Sequence, residues 1–77
     1  MEFAEKLKKL RIDNEMSREN LAELLNVSRS AIAKWESAKG MPDLENIKRI
    51  ASIFDVTIDS LIRDEEGNRN DGRRVLF

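Results

Sequence analysis

The sequence predicts an all-α domain, a compact bundle of five short helices over residues 1–64, followed by a polar tail over residues 65–77. Three observations lead there. A helix-entry signal recurs four times along the chain: Met16-Ser17 with Leu21, Val27-Ser28 with Ile32, Pro42-Asp43 with Ile47, and Val56-Thr57 with Leu61. Apolar residues downstream of each signal repeat at helical rather than strand spacing. No alternating strand pattern occurs in the first 64 residues.

The first helix precedes these signals, from about Glu2 to Asp13, with Phe3, Leu7 and Leu10 on one stripe. Its expected stop is Asn14, a residue that tolerates the left-handed conformation. Ile12 falls off the stripe and is expected to be exposed or to face a partner. Lys6, Lys8 and Lys9 interleave with Glu2 and Glu5 and are read as solvated. The second helix spans about Arg18 to Leu25, the third about Arg29 to Lys39. The fourth runs from Leu44 to Phe54, with Leu44, Ile47, Ile50, Ala51 and Phe54 inward, and the fifth from Ile58 to Ile62. Each entry works by one mechanism. A Ser, Thr or Asp oxygen accepts from the orphan N–H groups of the first turn, stabilising the helix by about 1 kcal/mol. The flanking apolar pair staples the incoming chain. Pro42 enforces the break after Lys39-Gly40.

Composition narrows the chemistry. With 77 residues and neither cysteine nor histidine, there are no disulfides, and the usual zinc sites are excluded. Aliphatic packing must supply the core, helped by Phe3, Phe54 and Trp35. No catalytic constellation emerges, so the chain is expected not to be an enzyme and to need no cofactor. No apolar run reaches the roughly 18 residues of a membrane span and no signal peptide opens the chain, so a soluble, intracellular protein is expected. The formal charge of −1 is uneven. Between Asn26 and Gly40, Arg29, Lys34 and Lys39 face only Glu36, whereas acids outnumber bases from Met41 onward.

Only Asn26, Val27 and Ser28 separate the second and third helices, a turn short enough to force a steep crossing. Asn26 suits the left-handed closure of the second helix, and Val27 plugs the core beneath it. On a wheel of roughly 100° per residue, Ile32 and Trp35 point inward while Arg29, Ser30, Ala33, Lys34 and Ser37 share an outward arc of roughly 140°. The arc is short, polar and cationic. Arginine can grip guanine O6 and N7 together, serine several base edges, and an alanine methyl can meet that of thymine. An ordinary solvated helix face has the same appearance, so the arc alone leaves both readings open.

Four stretches carry a resemblance: Leu7-Lys8-Lys9-Leu10-Arg11, Ser17-Arg18-Glu19-Asn20-Leu21-Ala22, Val27-Ser28-Arg29-Ser30-Ala31-Ile32-Ala33-Lys34-Trp35-Glu36 and Pro42-Asp43-Leu44. Through them the chain up to about Asp64 resembles the lambda-repressor-like, Xre-type helix-turn-helix domain. The spacing from Leu21 to Glu36 is the most specific part. The resemblance implies a lambda-repressor-like five-helix bundle that binds double-stranded DNA through the major groove. It also implies a bacterial or phage-encoded, cytoplasmic protein. Arg29, Ser30, Ala33 and Lys34 become the base-reading residues, and Arg18, Ser28, Ser37 and Lys39 the phosphate contacts. Arg18 stands where the family usually has a phosphate-contacting glutamine, and Ser30 departs from the common base-reading glutamine, so the family's base preference does not carry over at that position. Asn20 replaces the glutamate of the usual capping box, which weakens the reciprocal bond. Arg11 and Glu36 match a structural ion pair that ties the first helix to the end of the third, and Trp35 is read as core.

The implied function is that of a transcriptional regulator, expected to be a repressor acting as a homodimer on a palindromic operator. Ile58, Leu61 and Ile62 are its possible dimer contacts, or else monomer core. The alternative is an antitoxin or antagonist that binds a protein partner, which the acidic second half and the apolar end Val75-Leu76-Phe77 motivate. That end is otherwise read as a frayed terminus.

Overall fold

The computed structural model describes residues 2–63, which form five helices in chain order: α1 (Phe3–Asp13), α2 (Arg18–Leu25), α3 (Arg29–Glu36), α4 (Leu44–Phe54) and α5 (Ile58–Ile62). No strand occurs among the described residues, so the all-α expectation holds. The tail, including Val75-Leu76-Phe77, lies outside them.

All four caps form as expected. Ser17 Oγ accepts from Asn20 N at 3.0 Å, Ser28 Oγ from Ala31 N at 3.0 Å, Asp43 Oδ1 from Asn46 N at 3.0 Å, and Thr57 Oγ1 from Ser60 N at 2.9 Å. The capping box expected to be weakened at Asn20 is complete, since Ser17 N donates to Asn20 Oδ1 at 3.3 Å. An amide oxygen one methylene nearer the backbone still spans the three-residue gap.

Helix exits follow an equally regular rule. Residues with left-handed backbone close α1 to α4: Glu15 (φ 58°), Asn26 (φ 59°), Ala38 (φ 61°) and Asp55 (φ 56°). At each, the next residue's N–H reaches back five positions. Met16 N meets Arg11 O at 3.0 Å, Val27 N meets Ala22 O at 3.0 Å, Lys39 N meets Lys34 O at 2.9 Å and Val56 N meets Ala51 O at 2.9 Å. These are Schellman closures. Met16, Val27 and Val56 each end one helix and staple the next, packing half-buried against the core. One apolar residue therefore serves two helices, which is why those connections are so short.

The left-handed residue after α1 is Glu15, not Asn14, whose side-chain Nδ2 instead donates to Leu10 O at 2.8 Å. The third helix ends at Glu36, not Lys39, because Ser37 breaks helical geometry and Ala38 turns left-handed. Leu44 is 61% exposed rather than inward. It is the first residue of α4, before the helix meets its neighbours.

Six fully buried aliphatic residues come from every helix: Leu7 of α1, Leu21 and Leu25 of α2, Ile32 of α3, Ile50 of α4 and Leu61 of α5. Burying one such side chain stabilises the fold by about 1.5–3 kcal/mol. Phe3, Trp35, Ile47 and Ala51 complete the core. Ile12 is exposed, as its place off the stripe implied.

Lys6 overturns its solvated reading. It is buried, and its ammonium donates to Ser60 O at 2.6 Å and to Arg63 O. Those carbonyls belong to the end of α5, where a helix leaves acceptors unpaired and a cation is favoured. Charge alternation along α1 carries no trace of α5, so the sequence gives no hint of this clamp. Arg49 of α4 treats α2 similarly, with Nη1 donating to Leu25 O at 3.4 Å.

Candidate nucleic-acid interface

The capped turn Asn26–Ser28 lets α3 cross α2 while Ile32 and Trp35 anchor it from below. With those two residues inside, the opposite side of α3 must face outward. Arg29, Ser30, Ala33 and Lys34 are all exposed. Three of them, Arg29, Ser30 and Ala33, line one shallow recess together with Arg18 from the first turn of α2. The recess thus holds two guanidinium groups, a hydroxyl and a methyl, and no acid lines it. Lys34 stands further round the helix, beyond the recess.

The residues expected to meet phosphates sit around the margins. Ser28 is exposed at the start of α3; its oxygen accepts from Ala31 N, which leaves its proton for an outside acceptor. Ser37 is exposed at the other end, but its hydroxyl donates to Ala33 O at 2.8 Å, so a phosphate contact requires that bond to be given up. Lys39 is exposed in the connection to α4.

Beneath this face lies a charge cluster. Glu36, with only 2% of its side chain exposed, accepts from Arg11 Nε at 2.6 Å and from Arg11 Nη2 at 3.1 Å. Arg11 Nη1 donates to Met16 O at 2.8 Å, so the same guanidinium also holds the turn between α1 and α2. Arg18 adds a third donor, with Nε at 3.1 Å from Glu36 Oε1. The Arg18 bond is absent from the sequence reading. It joins positions 18 residues apart, and nothing local to either residue announces it.

The three possible dimer contacts differ in exposure. Leu61 is 1% exposed and belongs to the core, and Ile58 is half-buried against it. Ile62, 51% exposed, is the member of the three that offers surface. No helix among the described residues is long and apolar enough to cross a membrane.

A family model described as helix-turn-helix matches residues 7–61. The HTH-type transcriptional activator BcrR of Enterococcus faecalis is 54% identical over 66 residues, covering 86% of this chain and 32% of that protein. Among solved structures, the P22 c2 repressor in complex with a synthetic operator superposes with a TM-score of 0.78 at 22% identity, over 82% of this chain and 96% of that one. The restriction-modification controller protein C.AhdI from Aeromonas hydrophila gives a TM-score of 0.71 at 30% identity, over 78% of this chain and 91% of that one. The chain spans about a third to two thirds of the length of the curated relatives it matches.

Proposed function

The chain belongs to the helix-turn-helix family, and from that premise we propose that it is a DNA-binding transcriptional regulator whose reading helix is α3. The observation that carries the proposal is the exposed, acid-free recess shared by Arg18, Arg29, Ser30 and Ala33. In this reading α3 lies in the major groove. Arg29 reads a base edge, Ser30 and Ala33 allow close approach, and Lys34 reaches a neighbouring position. Arg18, Ser28 and Lys39 contact the phosphate backbone, which fixes register without reading sequence. Ser37 joins them on giving up its bond to Ala33 O.

Regulators with one short reading helix gain specificity by pairing, so the proposed form on DNA is a homodimer on a palindromic operator. Occupancy of such a site blocks access to it, which is the simplest route to repression. The experiment is selection of bound sequences from a random oligonucleotide pool, followed by gel-shift titration of the winner. A two-fold symmetric consensus is expected, and Arg29→Ala should lose roughly 1–3 kcal/mol of affinity and relax preference at one position per half-site. No enriched sequence, or an Arg29→Ala protein with unchanged affinity and preference, would refute α3 as the reading helix.

A further inference from the structure

Arg18 stands between two environments. Its Nε is tied to Glu36, yet its side chain is 40% exposed and borders the recess. Glu36 is itself immobilised, because Arg11 holds both of its oxygens. A carboxylate gripped by a planar fork and buried from water has one available orientation. Arg18 is therefore fixed by its inner nitrogen, and its two terminal nitrogens make no hydrogen bond among the described residues. The cluster Arg11, Glu36 and Arg18 carries one net positive charge, and Arg29 across the recess adds another.

We propose that Glu36 is a positioning residue for DNA binding: it holds Arg18 by Nε so that the terminal nitrogens grip one backbone phosphate beside the reading helix. This rests on the DNA-binding reading above. The chemistry needs arginine at position 18. A lysine has a single nitrogen, which cannot sit on Glu36 and also present a pre-oriented pair of donors to a phosphate. Charge alone is then insufficient; the tie to Glu36 supplies the orientation.

The test uses the full chain and its selected operator, with Arg18→Gln, Arg18→Lys and Arg29→Ala titrated across a range of salt. Arg18→Lys should lose affinity as Arg18→Gln does, each about ten-fold, and both should flatten the log–log salt dependence by about 0.9, the value of one lost phosphate contact. Wild-type affinity and slope in Arg18→Lys would overturn the proposal, since a point charge would then suffice. So would an unaffected Arg18→Gln alongside a weakened Arg29→Ala, which leaves the DNA-binding reading intact. If Arg29→Ala is also unaffected, it is that reading which fails. Glu36→Gln supplies the second arm, compared at temperatures where urea titration shows it folded. It should weaken binding when Arg18 is present and have no further effect in the Arg18→Gln background. Equal losses in both backgrounds would reduce Glu36 to a structural role. Should Glu36→Gln not fold, Glu36→Asp, which keeps the charge beside Arg11 but withdraws the carboxylate from Arg18 Nε, takes its place with the same two expected outcomes.

Discussion

At the scale of the residue, Glu36 concentrates more of the molecule's logic than any side chain on the outward face of α3. A buried carboxylate is costly unless fully partnered, and here three guanidinium N–H groups surround it. The two arginines that provide them are not equivalent. Arg11, with 10% of its side chain exposed, grips both oxygens and also closes the α1–α2 turn at Met16 O. Removing it strands the carboxylate, so Arg11→Ala should cost on the order of 3–5 kcal/mol in urea denaturation. Arg18 offers one donor from a side chain 40% exposed to water, and its removal leaves both Glu36 oxygens held by Arg11, so the loss to the fold is about 0–1 kcal/mol. Arg18→Gln should therefore unfold close to the wild-type midpoint. Equal destabilisation by the two substitutions would mean that Arg18 carries as much of the fold as Arg11 does. Of this cluster only the Arg11–Glu36 half was available from the sequence, through resemblance. The Arg18 bond depends on how steeply α2 crosses α3, which no spacing within either helix encodes. The outward face of α3 was legible for the opposite reason, since helical period alone separates it from Ile32 and Trp35.

At the scale of the element, helix starts and helix ends differ in how far they can be read. Each start is set within three residues, by a side-chain oxygen and the N–H it captures, so Ser17, Ser28, Asp43 and Thr57 were all visible. Ends are set by backbone conformation, and none of the four left-handed closures uses glycine. Asn26 declares itself, but Glu15 and Ala38 do not. That is why α1 was expected to close one residue early and α3 to run three residues too far. The Lys6 clamp is hidden from the sequence for a related reason, because its acceptors belong to a helix more than fifty positions away. The α3 closure has a consequence for stability. Ala38 sits at φ 61°, where a Cβ costs roughly 1–2 kcal/mol. Gly40, two residues on, has no positive φ and nothing within 4 Å of where a Cβ would stand. Ala38→Gly should thus gain about 0.5–1 kcal/mol, after the greater backbone entropy glycine loses on folding. Gly40→Ala should be neutral or gain about 0.4–1 kcal/mol. Thermal unfolding reads both. A lowered melting temperature in Ala38→Gly would contradict the closure described here.

At the scale of the whole molecule, the proposed reading helix is one short element of a chain of formal charge −1. Eight residues at 1.5 Å each make α3 about 12 Å long. Against a rise of roughly 3.4 Å per base pair that length faces only three or four pairs. A body without excess positive charge adds little non-specific attraction, so one copy on one half-site should bind weakly. The proposed pairing of two copies compensates, and it makes a geometric demand. Both reading helices must enter the major groove on one face of the duplex, with half-sites about 34–36 Å apart, one turn of 10–10.5 base pairs. Inserting five base pairs between the half-sites of the selected operator rotates one of them by about half a turn. A rigid pair can then seat only one helix. Affinity in gel-shift titration should fall to that of an isolated half-site, with the two-copy band appearing only at much higher protein concentration. If the insertion leaves affinity and stoichiometry unchanged, the copies bind independently and the homodimer must be abandoned. Substituting the exposed Ile62 with aspartate asks the same question from the protein side. It should weaken binding to the uninterrupted operator while leaving half-site affinity as it was. Loss at both sites would point instead to damage within the monomer, where Leu61 beside it is core.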